Sequence, residues 1–367
     1  MREAVQIKVA NHVEVLDQIL TLHSMGLSEM PPEEWKWKHV DNPFAEGEPE
    51  LIVAVDGDTI VGATCYMPFR FIVAGRQMRA IEPCDSIVHP AYRGRGILSR
   101  ILAYGDSHYQ KRGYPFGFGF PNEQALPGYL KQGWKLVMPI RQLNYFINWR
   151  GVLQCLVPKV PLQGAASWVF DKVLVRRSRK GRFPENSVSV FDSFPDAMNQ
   201  LDDLYNAQTL EMMRSREHME WRLDRHPRCS FHYIIGADRE DLLWYAVVDV
   251  IKDRHGLRTG RIVDYKVRNE SRQLFENAIS ASIQVLRGKE CDRIIMLRPT
   301  HANLRNVPGK LGFATTLESL AHEFNTMKGK RPVSLIVKPL ATADLFMNVL
   351  DGARWAPTSL YHDALFC

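Results

Sequence analysis

A glycine- and arginine-rich loop lies within the stretch VHPAYRGRGILSRIL, from Val88 to Leu102. Glycine tolerates backbone conformations in which consecutive N–H groups point to one side. A helix that begins directly after the loop adds unpaired N–H groups and the positive end of its dipole. Together these donors form a site suited to a pyrophosphate. Positive side chains raise the local potential further, namely Arg93, Arg95 and Arg100.

The elements around this loop follow from turn residues and apolar runs. A short strand, VQIKVA, and two helices come first, and three strands of a meander follow: ELIVAV, TIVGATCYMPFRFIV and QMRAIEPCDSIV. After the loop we expect a helix from about Ile97 to Arg112, the strand YPFGFGF, the short helix NEQALPGYLKQ and a last strand, WKLVMPIRQLNYFI. This order predicts an α/β fold of the α+β type, built on a mixed sheet with helices on both faces.

The second half of the chain repeats this order. WKHVDNP (Trp37–Pro43) matches WRLDRHP (Trp221–Pro227), and a three-strand meander follows each copy. PGYLKQGW matches PGKLGF in the same relative place. An ordered set of matches indicates an internal repeat. The 367 residues also suit two domains of ordinary size.

We therefore predict a chain of four segments. An amino-terminal domain covers residues 1–150, a linker 151–185, a second similar domain 186–330 and a tail 331–367. The linker is apolar, contains prolines and ends in a basic cluster. A solvated linker helix accounts for this composition, and a weak contact of residues 151–182 with an anionic membrane surface is the alternative.

The loop resembles a known motif. VHPAYRGRG followed by a helix is similar to the acyl-coenzyme A pyrophosphate loop of the GCN5-related N-acetyltransferase (GNAT) superfamily, which reads Arg/Gln-x-x-Gly-x-Gly/Ala. Leu98 departs from this motif, because it replaces a small residue; large residues here look like the tandem, two-domain branch. The resemblance implies a tandem GNAT fold with a degenerate second copy. It also implies coenzyme contacts from Ile87, Val88, Arg93, Gly94, Arg95, Gly96, Ile97, Leu98 and Asn122.

A second motif follows the fifth strand. Asn122, Ala125, Tyr129, Gly133 and Trp134 keep the spacing of the corresponding helix in the superfamily. By this resemblance Asn122 holds the pantetheine arm and Tyr129 protonates the departing thiolate. A phenol within hydrogen-bond distance can perform that proton transfer. The alternative is that Tyr129 is an aromatic side chain packed beside Trp134.

Glycines in the strand FGFGFPN admit two interpretations. Gly117 and Gly119 leave one face of the strand bare, so a ligand could lie against its backbone. Equally, the two glycines could make room for a packed helix.

The general base is less clearly marked. Glu82 and Asp85 lie on the third meander strand and face opposite sides of a regular strand, unless Pro83 introduces a bulge. Superfamily members use a carboxylate or an ordered water from this strand, and we favour Glu82. The alternative is a rim carboxylate in a salt bridge.

The second half lacks the glycine loop. Its corresponding segment reads VRNESRQLFENAISASI, which contains no glycine and places Glu270 where a phosphate would lie. We therefore expect the second domain not to bind the coenzyme.

Composition and charge exclude several classes of partner and site. The formal charge of +6 is too small for a dense nucleic-acid-binding face, so we expect no nucleic-acid partner. The six cysteines are scattered without metal-type spacing, which predicts no metal site and reduced thiols in a cytoplasmic protein. No apolar run is long enough to span a bilayer.

The resemblance implies an acyltransferase that moves an acetyl group from acetyl-CoA to an amine, such as a small-molecule amine or an amino sugar. A Fem-type aminoacyl transferase that uses charged tRNA is the first alternative. A non-catalytic CoA-binding regulatory protein is the second.

Overall fold

The computed structural model describes residues 5–26, 30–47, 49–148, 188–206, 208–239, 241–252, 256–314, 333–341 and 346–361. The predicted linker over 151–185 lies outside these residues. Within them the chain forms two mixed sheets, and helices pack on their faces. The predicted α/β class with mixed sheets is confirmed.

The first sheet contains eight strands, in the order β1-β2-β3-β4-β5-β14-β6, with β9 paired to the far end of β3. The meander β2-β3-β4 forms its centre, and β5 continues it in parallel. Positive φ angles at Gly57 (59°) and Gly75 (75°) allow the two tight turns of the meander. The strands are β1 (Gln6–Asn11), β2 (Glu50–Asp56), β3 (Thr59–Val73), β4 (Arg76–Val88), β5 (Phe116–Gly119), β6 (Lys135–Pro139), β9 (Leu210–Met212) and β14 (Ser334–Pro339).

The second sheet contains six strands, in the order β7-β13-β12-β11-β10-β8. It has the same plan: an antiparallel meander, β10-β11-β12, followed by a parallel fourth strand, β13. This agreement supports the repeat seen in the sequence. The strands are β7 (Gln142–Phe146), β8 (Val188–Phe191), β10 (Phe231–Asp238), β11 (Asp241–Lys252), β12 (Arg258–Val267) and β13 (Arg293–Leu297).

Helices complete both halves in corresponding places. The two longest follow the meanders and cover one face of each sheet, and short helices that continue into a π-helical turn precede the meanders. The helices are α1 (Leu16–Ser24), α2 (Pro32–Trp35, continued by Lys36–Val40), α3 (Ile97–Lys111), α4 (Leu126–Lys131), α5 (Arg216–Met219, continued by Glu220–Asp224), α6 (Arg272–Gly288), α7 (Val307–Lys310) and α8 (Phe346–Val349).

The two sheets exchange strands. The sequence suggested one strand over WKLVMPIRQLNYFI, but this prediction is wrong: the segment divides at Ile140–Arg141, so that β6 stays in the first sheet and β7 pairs with β13 in the second. In return, β14 from the tail inserts between β5 and β6. Lys338 on β14 fixes this insertion, because its Nζ lies 2.5 Å from the carboxylate of Asp106 on α3. The four predicted segments stay a prediction, and the exchange adds that neither sheet is built from one contiguous segment.

A reciprocal tryptophan pair joins the halves. Trp37 Nε1 donates to the carbonyl of Trp221 at 2.7 Å, and Trp221 Nε1 donates to the carbonyl of Trp37 at 2.7 Å. Both tryptophans lie in the matched sequence motifs and in the matched π-helical turns. The largest hydrophobic cluster likewise contains side chains of both sheets. The halves therefore share one core.

Two further predictions need correction. FPDAMNQLDDLYNAQTL is not one regular helix: a 3-10 segment over Asp196–Leu204 breaks at Gln200, and Leu210 begins strand β9. The thiols are not all reduced, since Cys229 is disulfide-bonded. Scattered sequence positions do not reveal which cysteines meet in space.

Candidate active site

Strands β4 and β5 separate beyond their first contacts. They pair only at Ala80–Phe116 and Ile81–Gly117, after which β4 runs on to Val88 without β5 beside it. A β-bulge lies on this free stretch, where Asp85 and Ser86 together oppose Thr64 of β3. Asp85 has a positive φ of 47°, and the bulge, not Pro83, bends the strand. The separation opens an edge of unpaired backbone toward α4.

A cleft of about 530 Å³ occupies this opening. It lies between the end of β4, the glycine loop and the start of α4. Eight of the nine residues predicted to bind the coenzyme line it, which supports the predicted location of the site. Its lining is Gly26, Ser86, Ile87, Val88, Tyr92, Arg93, Gly94, Gly96, Ile97, Leu98, Ser99, Asn122, Gln124, Ala125 and Gly128.

The loop has the backbone that the sequence predicts. Gly94 and Gly96 have φ angles of 78° and 72°, a left-handed region that favours glycine. No side chain caps the following 15-residue helix, so the N–H groups of its first turn remain available at the cleft. Tyr92 anchors the loop, because its hydroxyl donates to the Asp56 carboxylate at 2.6 Å. The loop therefore has the backbone geometry that an anion site requires.

The three arginines point to different places. Arg93 lines the cleft, where its guanidinium lies against Gly26 and its Nε donates to the carbonyl of Val88. Arg95 does not line it: its side chain donates to the carbonyl of Ala91 and lies over the ring of Tyr92. Only the Arg95 backbone is left for a coenzyme contact. Arg100 donates to the carbonyl of Val5, on another side of α3.

Leu98 and Asn122 lie on opposite walls of the cleft. A Cβ added to Gly128 on α4 would lie 3.6 Å from Leu98 Cδ2, so the large side chain at the departing motif position fills space between α3 and α4. Asn122 Oδ1 accepts hydrogen bonds from the backbone of Gln124 and Ala125. The Asn122 side chain thus caps the turn before α4.

Tyr129 lies below the cleft lining. Its side chain is 4% exposed and meets Trp134 edge-on at 5.2 Å between ring centroids, which matches the packing interpretation. Its hydroxyl nevertheless reaches the free edge of β4, 3.5 Å from the carbonyl of Pro83. The Tyr129 hydroxyl therefore lies where β4 and β5 diverge, and its acid role stays a prediction.

The two carboxylates of β4 have different surroundings. Glu82 is 1% exposed and does not line the cleft. Asp85 contacts α2 instead: its carboxylate lies 2.7 Å from Lys38 Nζ and 2.8 Å from His39 Nε2. Burial lowers the pKa of His39, and the hydrogen bond to Asp85 partly opposes this shift. Asp85 is thus the salt-bridged carboxylate, and Glu82 remains the candidate base.

The two glycines of β5, Gly117 and Gly119, have different surroundings. A Cβ at Gly117 would lie 2.6 Å from the Trp134 ring, so this glycine makes room for a packed side chain. A Cβ at Gly119 would approach only the carbonyl of Pro83, at 4.0 Å across the opening. Gly119 therefore leaves space toward β4, but it is buried and does not line the cleft.

The corresponding place in the second half is filled. Asn269 and Glu270 adopt positive φ angles of 56° and 48°, so the loop keeps its shape without glycine. Glu270 turns inward to Lys266, 2.7 Å away. The remaining cavity measures about 20 Å³, too small for a nucleotide. This geometry supports the prediction that only the amino-terminal half binds the coenzyme.

Sequence reasoning missed part of the lining. The lining residues that were not among the predicted contacts are Gly26, Ser86, Tyr92, Ser99, Gln124, Ala125 and Gly128. Ser86 and Ser99 directly neighbour predicted contacts and could have been included by adjacency. Gly26 could not, because the end of α1 reaches the loop only through the tertiary fold.

Comparisons with known proteins agree with this geometry. Residues 10–137 match the family model described as an acetyltransferase (GNAT) domain. The chain carries a GNAT acyltransferase domain. No curated protein matches the sequence. Among the described residues, no helix is sufficiently long and apolar to traverse a bilayer.

Solved structures resemble the chain over most of its length. A GCN5-related N-acetyltransferase from Anabaena variabilis ATCC 29413 is 10% identical, with a TM-score of 0.59 over 92% of this chain and 73% of that one. A probable N-acyltransferase from Enterococcus faecalis V583 is 12% identical, with a TM-score of 0.62 over 92% and 73%. Saccharomyces cerevisiae N-myristoyltransferase with bound myristoyl-CoA is 12% identical, with a TM-score of 0.56 over 94% and 84%. At these identities the likeness concerns the fold.

Proposed function

We propose that the amino-terminal half transfers an acetyl group from acetyl-CoA to an amine acceptor. The cleft between β4, the glycine loop and α4 carries this proposal. It combines first-turn N–H groups of α3 for a pyrophosphate with a free β4 edge for the pantetheine amides. The GNAT domain match over residues 10–137 supports a coenzyme A thioester as donor.

Close packing around β5, the strand that diverges from β4 at the cleft, favours a short acyl group. Phe116 and Phe118 on β5 are fully buried, and they pack edge-on against Phe71 at 5.6 and 5.0 Å between ring centroids. A long acyl chain that passed between β4 and β5 would have to displace these rings. The yeast neighbour binds myristoyl-CoA, so acyl length is the feature that the test must resolve first.

The chemistry needs two proton transfers. The amine nitrogen attacks the thioester carbonyl, the C–S bond breaks, and the coenzyme leaves as a thiolate. Tyr129 donates its phenolic proton to that sulfur. The proton lost by the amine passes to Glu82 through an ordered water, since Glu82 is buried. Tyr129 and Glu82 flank the same divergence of β4 and β5, because the Tyr129 hydroxyl lies at Pro83, the next residue after Glu82.

Amine acceptors reach this point from the side of α1 and α2. One acid on that side, Glu34, is bound to Arg228 of the second half at 2.8 Å, so it is partly neutralised. The second half therefore forms part of the wall over the acceptor side. Small amines and amino sugars are the acceptor class that we propose.

Calorimetry and a thiol-release assay test the proposal. Acetyl-CoA is expected to bind more tightly than myristoyl-CoA, and a panel of amines and amino sugars is expected to include one that releases free coenzyme A. Consumption of aminoacyl-tRNA without use of acetyl-CoA would favour the Fem-type alternative. Acetyl-CoA binding without thiol release for any amine would favour a regulatory CoA-binding protein.

A further inference from the structure

Three buried side chains meet behind the bulge of β4, outside the cleft lining. His12 follows β1, His39 lies in the π-helical turn after α2, and Cys65 lies on β3. Their exposed fractions are 2%, 5% and 0%. One ring nitrogen of each histidine and the Cys65 sulfur lie within 4.8 Å of one another. The proposed acetyl transfer does not use these groups.

The histidines have one satisfied and one unsatisfied nitrogen each. The His12 ring hydrogen-bonds to the backbone of Glu50, and His39 Nε2 lies 2.8 Å from Asp85. The Nδ1 atoms of His12 and His39 are buried and have no hydrogen-bond partner among the described residues. A buried polar atom without a partner is costly, so each such atom requires an explanation.

We propose that His12, His39 and Cys65 bind one Zn²⁺ ion. Imidazole nitrogen and thiolate sulfur are the ligands that zinc prefers. A zinc-bound histidine characteristically bonds its other nitrogen to a carboxylate or a backbone carbonyl. His39 does so with Asp85, and the His12 ring with the backbone of Glu50. On binding, the thiol of Cys65 loses its proton to solvent, because the ligand is the thiolate.

Forming this site requires one ring to change its orientation. The rings of His12 and His39 are nearly parallel, 7° apart with centroids separated by 4.9 Å. One imidazole must rotate about χ2 so that both lone pairs point at one ion, and this torsion has a broad energy profile. Cys84 is the register partner of Cys65 on the neighbouring strand and can supply a fourth ligand.

The charges near the site balance. Lys38 is positive and Asp85 negative, and they form a 2.7 Å ion pair beside His39. Zinc with one thiolate adds a single positive charge, and a second thiolate from Cys84 would cancel it. The ion would join β1, β3 and α2 behind the bulge of β4, so its expected role is to hold that bulge in shape.

Metal analysis of the full chain tests this proposal. After expression with zinc, the wild type is expected to retain about one Zn²⁺ per chain through dialysis. Cobalt(II) substitution is expected to give visible bands of a tetrahedral site and a thiolate-to-metal absorption. Cys65→Ser is expected to lose the thiolate band, and His39→Gln is expected to lose most of the metal. Chelation should lower the melting temperature of the wild type, because the ion binds the folded state.

Matched variants separate the site from general effects of mutation. Cys291→Ser removes a different buried thiol, and His23→Gln removes a buried histidine that contacts Trp35 but belongs to neither potential ligand group. Both controls should keep wild-type metal content. Far-UV circular dichroism identifies any variant that fails to fold. A wild type that retains no zinc and gives no cobalt spectrum would overturn the proposal, as would equal metal binding by a folded Cys65→Ser variant.

Discussion

We expect coenzyme binding to depend most directly on Gly96. It precedes α3 with a φ of 72°, and no atom lies within 4 Å of the position that a Cβ would take, so the cost of substitution is conformational and electrostatic. Gly96→Glu should weaken acetyl-CoA binding by about 100-fold or more, because a carboxylate repels the pyrophosphate and hydrogen bonds to charged groups contribute about 1.5–3 kcal/mol each. Isothermal titration calorimetry measures this change.

Gly133→Glu is the matched control for that variant. Gly133 has a φ of 83° and open space around it, but it does not line the cleft. The Gly133→Glu variant should bind acetyl-CoA as the wild type does. Equal affinities for all three proteins would remove the glycine loop from the site.

Tyr129 is the proposed acid, and its role separates binding from turnover. Tyr129→Phe should lower kcat by about 100-fold, the lower range for a lost general acid, with little change in acetyl-CoA affinity. Tyr109→Phe is the control, because Tyr109 is equally buried but lies in an aromatic cluster with Tyr66 and Tyr114. Steady-state kinetics with the best amine give the comparison. A wild-type kcat in Tyr129→Phe would leave Tyr129 as a packing residue.

His218 makes stability depend on pH. Burial lowers its pKa to about 3, and its ring packs against Phe44 of the first half. The folded state keeps this histidine neutral while the unfolded chain protonates it below about pH 6.5, so the unfolded state binds more protons between these values. The contribution of His218 to the free energy of unfolding should therefore fall by about 1.4 kcal/mol for each pH unit below 6.5.

Chemical denaturation at pH 6 and pH 4 measures that slope. His218→Asn keeps a donor for the carbonyl of Met213, which His218 Nδ1 contacts at 2.7 Å, but it does not titrate. Its pH dependence should be shallower by about the same 1.4 kcal/mol per unit. Identical slopes for both proteins would show that His218 does not control the acid limb.

At the scale of single residues, the local sequence predicted residues that line the cleft but not the tertiary contacts around it. Gly94, Gly96 and Asn122 were recognisable because loop conformation and helix capping depend on neighbours in the chain. The side-chain direction of Arg95 was not, although its two partners, Ala91 and Tyr92, are near it in the chain. The meeting of the two histidines and the cysteine behind the bulge was invisible for a different reason, because three separate elements bring them together.

At the scale of elements, the sequence predicted most strands but not their partners. The apolar run of β14 identifies a strand, yet nothing in residues 334–339 specifies a place between β5 and β6. Strand pairing is decided by tertiary packing: Ile336 is fully buried among Leu102, Leu126, Tyr129 and Trp134. The division of β6 from β7 was missed because both halves of that segment read as strand.

A substitution of Ile336 tests whether the tail is part of the first sheet. Ile336→Asp places an unpaired charge in the core beside Tyr129 and should lower the free energy of unfolding by about 3–5 kcal/mol. Val333→Asp changes a 45% exposed residue of the same segment. This variant should change the free energy of unfolding by no more than about 0.5 kcal/mol. Urea denaturation compares them. Equal stabilities would contradict the insertion of β14 into the first sheet.

At the scale of the whole molecule, the halves should unfold together. Their shared core and the reciprocal Trp37–Trp221 hydrogen bonds couple the two sheets. Trp37→Phe and Trp221→Phe should each destabilise the protein by about 1–3 kcal/mol, because each leaves a buried carbonyl without its donor. Because both residues serve one contact, the double variant should cost less than the sum of the two.

Differential scanning calorimetry tests whether the two halves unfold together. One transition is expected for the wild type and for all three tryptophan variants, with the midpoint shifted downward in the variants. Two separated transitions in any of them would indicate halves that fold independently.

The reciprocal exchange of β7 and β14 also sets an order of events during synthesis. The glycine loop leaves the ribosome early, but the sheet that supports it lacks β14 until residue 339 has emerged. Domains usually fold as units from the amino terminus as translation proceeds. Here the donor-binding half must wait until the meander of the other half has been synthesised, so a nascent chain that ends before β14 should be unable to hold the coenzyme.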